Sequence, residues 1–68
     1  MIYNVTLHKK DYPTITYSLG IMANTEEAAK EAAKQMIAEK AYWEYSAALT
    51  IEDKVNALII DEITILSN

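Results

Sequence analysis

Two adjacent acid pairs, Glu52-Asp53 and Asp61-Glu62, stand outside the helical run of this chain. Paired carboxylates are what general acid–base chemistry and divalent cations require. Neighbours on a strand point to opposite faces, however, so neither pair reads as an acid/base dyad or a metal clamp. His8 is the only histidine and cysteine is absent, which removes the usual zinc ligand sets. His8 reads instead as a solvent-side strand residue just before a turn. No serine sits in a glycine-flanked elbow, and Gly20 is the only glycine, so a phosphate-cradling loop is excluded. The expectation is a protein that is not an enzyme and uses no cofactor or metal.

What remains for chemistry is charge and aromatic surface. Over residues 1–43 five lysines cancel five carboxylates; residues 44–68 set Lys54 against Glu44, Glu52, Asp53, Asp61 and Glu62. The whole net charge of −4 therefore sits in the C-terminal part, and the chain has no arginine. Direct nucleic-acid binding calls for a basic patch, so none is expected. An acidic end attracts basic protein surfaces. Five tyrosines accompany one tryptophan and no phenylalanine. Tyr3 and Tyr17 fall on inward strand positions, whereas Tyr12 beside Pro13 and Tyr42 on the polar side of the helix read as exposed. Exposed tyrosine near carboxylates is a common composition of protein-binding surfaces. The candidate protein-binding residues are accordingly Glu44, Glu52, Asp53, Asp61, Glu62, Tyr12 and Tyr42.

The elements that must hold these residues follow from periodicity. Sixty-eight residues make one domain, 1–68, with one small core and no disulfide to reinforce it. A first strand, Ile2–His8, puts Tyr3, Val5 and Leu7 on one face. A charged turn, Lys9–Pro13, leads to an antiparallel second strand, Thr14–Ala23, with Ile15, Tyr17, Leu19 and Ile21 on one side. Asn24 or Thr25 then caps an Ala/Glu/Lys helix whose apolar arc reads Ala29, Ala32, Ala33, Met36 and Trp43, flanked by Ile37. Lys40 falls inside that arc, a sign that the helix ends there or that the side chain snorkels.

Read at period two, Trp43, Tyr45, Ala47, Leu49 and Ile51 alternate with Glu44, Ser46, Ala48, Thr50 and Glu52, and Trp43–Glu52 is read as a third strand. The competing reading carries the helix through Tyr45, with Thr50 capping a short second helix near Ile51–Ala57. Leu58–Leu66 is the fourth strand; its phase breaks at Asp61-Glu62, which implies a bulge and an edge position. The fold expected is α+β, ββαββ, a four-stranded antiparallel sheet ordered 2-1-3-4 with one helix on one face. Apolar residues on both faces of the last strand point to a homodimer through it. No basic, then apolar leader opens the chain, and no stretch is apolar over the roughly 20 residues needed to span a bilayer, so no membrane role is expected and a cytoplasmic location is.

The order strand, turn, strand, then the helix start Ala23-Asn24-Thr25-Glu26-Glu27-Ala28-Ala29, then strand resembles small acidic bacteriophage-encoded inhibitors. These include ββαββ anti-CRISPR proteins and a similarly organised phage inhibitor of host RNA polymerase. The resemblance implies a stoichiometric inhibitor that blocks a host nucleic-acid machine by occupying a basic protein surface. The first hairpin and the Thr25-Glu26-Glu27-Ala28 start are also similar to HicB-like antitoxin domains, which implies the alternative of an antitoxin-like or phage accessory interaction module without inhibitory activity.

Overall fold

The structure, a computed structural model, describes residues 1–68. Strands β1 (Ile2–Lys9) and β2 (Thr16–Met22) form the expected hairpin, in register from Ile2 opposite Met22 to His8 opposite Thr16. Between them the chain turns tightly, with Tyr12 N–H bonded to the Lys9 carbonyl and Ile15 N–H to the Tyr12 carbonyl. Helix α1 (Glu26–Lys40) follows. Thr25, not Asn24, is its N-cap: the Thr25 hydroxyl accepts from the Ala28 N–H at 3.1 Å, and Glu26 and Glu27 occupy the first turn where the helix dipole favours them. The helix ends at Lys40, the first of the two sequence readings of that residue.

The sheet has three strands, ordered β2-β1-β3, not four ordered 2-1-3-4. The strand beside β1 is the C-terminal one, β3 (Leu58–Ser67), antiparallel to it. Residues 43–52 make no strand. They form a turn, a single 3-10 turn at Ser46–Ala48, and the approach to a short helix α2 (Ile51–Asn56). Three local interactions defeat the alternation. Tyr45 has a left-handed backbone (φ 56°), which no strand accommodates. The Trp43 indole N–H turns back to the Ile37 carbonyl, 3.1 Å away, at the end of α1. Thr50 and Asp53 close a reciprocal capping box, each side chain accepting from the other's backbone N–H at 3.0 Å. The competing sequence reading was therefore right about α2 and its Thr50 cap, and wrong to extend α1 to Tyr45.

The expected bulge is present. Leu7 pairs with Ile60 and Thr6 with Glu62, leaving Asp61 as the extra residue; a second shift, between the Ile2 and Tyr3 pairings, leaves out Leu66. β3 lies at the sheet edge.

Helix α1 covers one sheet face. Tyr3, Val5, Leu7, Ile21 and Leu58 meet Ala29, Ala33, Ile37 and Trp43 in one core. The alanines bring the helix backbone close to the strands. Ala32 and Met36, expected in the buried arc, are exposed, and Ala38, outside that arc and outside the main core, is buried. Placing Trp43 on the helical wheel had rotated the arc, but Trp43 lies beyond the helix end and reaches the core from the connection instead. The opposite sheet face, carrying Asn4, Thr6 and His8, is left uncovered by any element.

Candidate functional site

The hairpin tip and the α1–α2 connection meet at one end of the molecule, and three of the seven candidate residues meet there. The Tyr12 hydroxyl donates to the Glu44 carboxylate at 2.8 Å. Lys9 passes beneath: its ammonium donates to the Tyr42 carbonyl and lies 4.4 Å from the centre of the Trp43 ring. That cation–π contact fixes the connection against the hairpin. The Lys10 N–H bonds to the Ala57 carbonyl at 2.8 Å, tying the same hairpin tip to the end of α2.

The result is a cleft of about 320 Å³ lined by Lys9, Tyr12, Ile15, Tyr17, Tyr42 and Glu44. Its rim is aromatic and open: Tyr42 is 79% exposed, Ile15 54% and Tyr12 43%. On the other side of the Tyr12–Glu44 bond a second cleft of about 310 Å³ includes Tyr45, 82% exposed, together with Asp11 and Asp53. Hydrogen bonding to Glu44, and then the Glu44 charge, push the Tyr12 hydroxyl above its ordinary pKa of 10.0.

The other acidic candidates do not join this cluster as an acidic hairpin. With no strand at 43–52, Glu44 and Glu52 share no strand face. Glu52 is exposed on the first turn of α2, and Asp53 lines the second cleft while serving the capping box. Asp61 and Glu62 lie on β3, where the bulge overturns the expectation that the pair point apart. The Asp61 carboxylate lies 2.8 Å from His8 Nδ1, and Glu62 pairs with Thr6, two residues from His8 on the same pleat face. Both carboxylates thus reach the uncovered sheet face, and His8 is paired rather than solvated. No group of three His, Asp or Glu side chains is placed to hold a metal ion.

Sequence reasoning missed Lys9, Ile15 and Tyr45 as parts of the site and assigned Tyr17 to the core, where it is only half-buried. The signal available was the cluster itself: aromatic and β-branched residues flanking a turn (Tyr12, Ile15, Tyr17) beside a second aromatic run (Tyr42, Trp43, Tyr45). Lys54, the only cation of residues 44–68, is buried and donates to the Ser46 hydroxyl at 2.8 Å. No helix is long and apolar enough to cross a membrane. Comparison of the chain with protein-family models, with curated proteins and with solved structures finds no match in any of the three.

Proposed function

We propose that this chain is a small acidic protein-binding inhibitor, phage-encoded and working in the host cytoplasm, that occupies a basic surface of a host nucleic-acid machine in a stoichiometric complex. The observation that carries the reading is the exposed tyrosine surface around the Tyr12–Glu44 bond. Tyr42 and Tyr45 are each about four-fifths exposed on a segment held in place by Trp43 and Lys9. Rigidly held, exposed tyrosines are the side chains from which interface hot spots are built. Charge supports the choice of a basic partner. Lys54 is withdrawn from the surface while Glu44, Glu52 and Asp53 remain on it, so the surface of this half is more acidic than its formula.

A second reading is an antitoxin-like or phage accessory module that binds without inhibiting. It is favoured by the part of the fold that kept its expected form, the first hairpin and the Thr25-capped helix start; the third strand of the ββαββ likeness, expected over residues 43–52, is missing.

Quantitative affinity capture from bacterial lysate, parent chain against Tyr42→Ser/Tyr45→Ser, tests the main reading. The expected result is a basic partner held by the parent in a one-to-one complex and lost by the variant, whose nucleic-acid activity falls when the complex is reconstituted. Equal retention by both chains overturns the proposed surface. A partner whose activity is untouched favours the second reading.

A further inference from the structure

We infer that the cleft between the hairpin tip and the α1–α2 connection receives an arginine side chain from a basic segment of the protein partner, an inference that rests on the protein-binding reading above. The cleft brings together three tyrosines, Tyr12, Tyr17 and Tyr42, with one carboxylate, Glu44. Aromatic faces attract cations through their quadrupoles, and a guanidinium stacks on them while its planar fork bonds a carboxylate. One Glu44 oxygen already accepts from the Tyr12 hydroxyl, which holds the carboxylate at the cleft and leaves its other oxygen for an incoming donor.

The cation lining the cleft is Lys9. Its ammonium lies against the Trp43 ring and the Tyr42 carbonyl. Two partners of its own thus hold the half-buried ammonium, whereas Glu44 is exposed. The adjoining cleft adds Asp11 and Asp53 against Lys10, which leaves the two clefts together with one negative charge in excess. An arginine suits this slot better than a lysine, because a compact ammonium would keep its hydration, where a guanidinium stacks on the tyrosines while one of its N–H groups donates to the free Glu44 oxygen. The cleft volume of about 320 Å³ suits one long side chain rather than a folded element.

The probe is arginine capped at both ends, N-acetyl-arginine N-methylamide, which presents the side chain as a polypeptide does; capped citrulline is its neutral counterpart of the same shape. Titration is followed by NMR on the tyrosine ring resonances and the Glu44 side-chain carboxyl. Capped arginine is expected to shift Tyr12, Tyr42 and Glu44 saturably, with capped citrulline binding at least about fivefold more weakly. Glu44→Gln is expected to abolish that preference, and Tyr42→Leu to weaken arginine about threefold. Both positions are exposed, and an unchanged backbone spectrum verifies the fold of each variant. Equal binding of the two probes, or tyrosine rings unmoved at saturating arginine, overturns the inference. If the rings do not move but partner capture still depends on Tyr42 and Tyr45, the arginine slot falls while the protein-binding reading stands. If arginine binds but capture is independent of both tyrosines, the cleft keeps its selectivity for a guanidinium, while its assignment to the protein partner falls together with that reading.

Discussion

Tyr12 and Glu44, 32 positions apart, share a 2.8 Å hydrogen bond that joins the tip of the first hairpin to the segment between the helices. Its consequence is a coupling between phenol ionisation and folding. The folded state raises the Tyr12 pKa above 10.0, chiefly through the Glu44 hydrogen bond and then its charge. A raised pKa means that the fold favours the protonated phenol. The contribution is complete below pH 10.0 and fades as pH rises through the higher folded value. Ring-carbon NMR titration should find Tyr12 ionising above that reference in the parent and closer to it in Glu44→Gln. The variant should also lose stability less steeply at alkaline pH. Identical Tyr12 titrations in the two chains would show that the bond does not persist in solution.

Trp43 governs whether the connection is rigid. It is buried, closes α1 through its bond to the Ile37 carbonyl, and supports the Lys9 ammonium. Trp43→Ala should cost about 3–5 kcal/mol, the range for a large buried aromatic. Trp43→Phe should remove only the hydrogen bond and some packing, about 1 kcal/mol, because the Ile37 carbonyl keeps the Ala41 N–H. Urea unfolding of the two variants measures the difference. Equal losses would mean that the indole N–H, not burial, fixes the segment.

How far the sequence disclosed this arrangement depends on the range of the interactions. The hairpin, the α1 cap and the Asp61 bulge were legible because each is written in contiguous residues: a strict alternation, a Thr-Glu-Glu start, a broken phase. Trp43–Glu52 misled because its alternation conceals side-chain contacts only three to eight residues apart that outweigh it. Trp43 is drawn to the end of α1, Thr50 to Asp53, and Lys54 to Ser46. Tyr12 and Tyr42 were recognisable as exposed aromatics. That they enclose a cleft with Glu44 was not, since the contact spans more than 30 residues and depends on a connection read as a strand.

Tyr45 offers a way to separate stability from binding. Its left-handed backbone is one that a non-glycine residue holds at a cost, while its ring is almost wholly exposed. Tyr45→Gly should therefore raise stability by up to about 1 kcal/mol and weaken partner capture. Tyr45→Ala keeps the strained backbone, so it should weaken capture equally without the gain. Thermal unfolding and capture measured on the same two variants decide the point. A loss of stability in Tyr45→Gly would mean that the exposed ring supports the fold.

The Asp61 bulge is the feature of β3 that keeps its edge from being a regular template. With Asp61 removed, the residues as far as Ile65 alternate without interruption, and only the shift at Leu66 remains: Leu58, Ile60, Ile63 and Ile65 lie opposite Lys9, Leu7, Val5 and Tyr3, and Ile59, Glu62 and Thr64 lie opposite His8, Thr6 and Asn4. Every existing pairing with β1 can survive the deletion, so the fold should survive as well. Bulges bend and twist an edge away from pairing with another chain, and this edge exposes Ile59, Ile65 and Leu66. Deletion of Asp61 should therefore leave the Val5–Ile63 and Tyr3–Ile65 contacts intact by NMR. It should also raise the tendency to self-associate, the behaviour that the exposed Ile59, Ile65 and Leu66 suggest for the parent at high concentration, although the register leaves Ile59 as the one apolar residue beside Glu62 and Thr64 on the outer face. Sedimentation velocity over a concentration series is the measurement. The expected order is a weakly associating parent and a deletion variant that forms dimers at lower concentration. If both chains sediment as the 7.7 kDa monomer throughout, β3 is not a self-pairing edge and the bulge serves only to set Asp61 against His8.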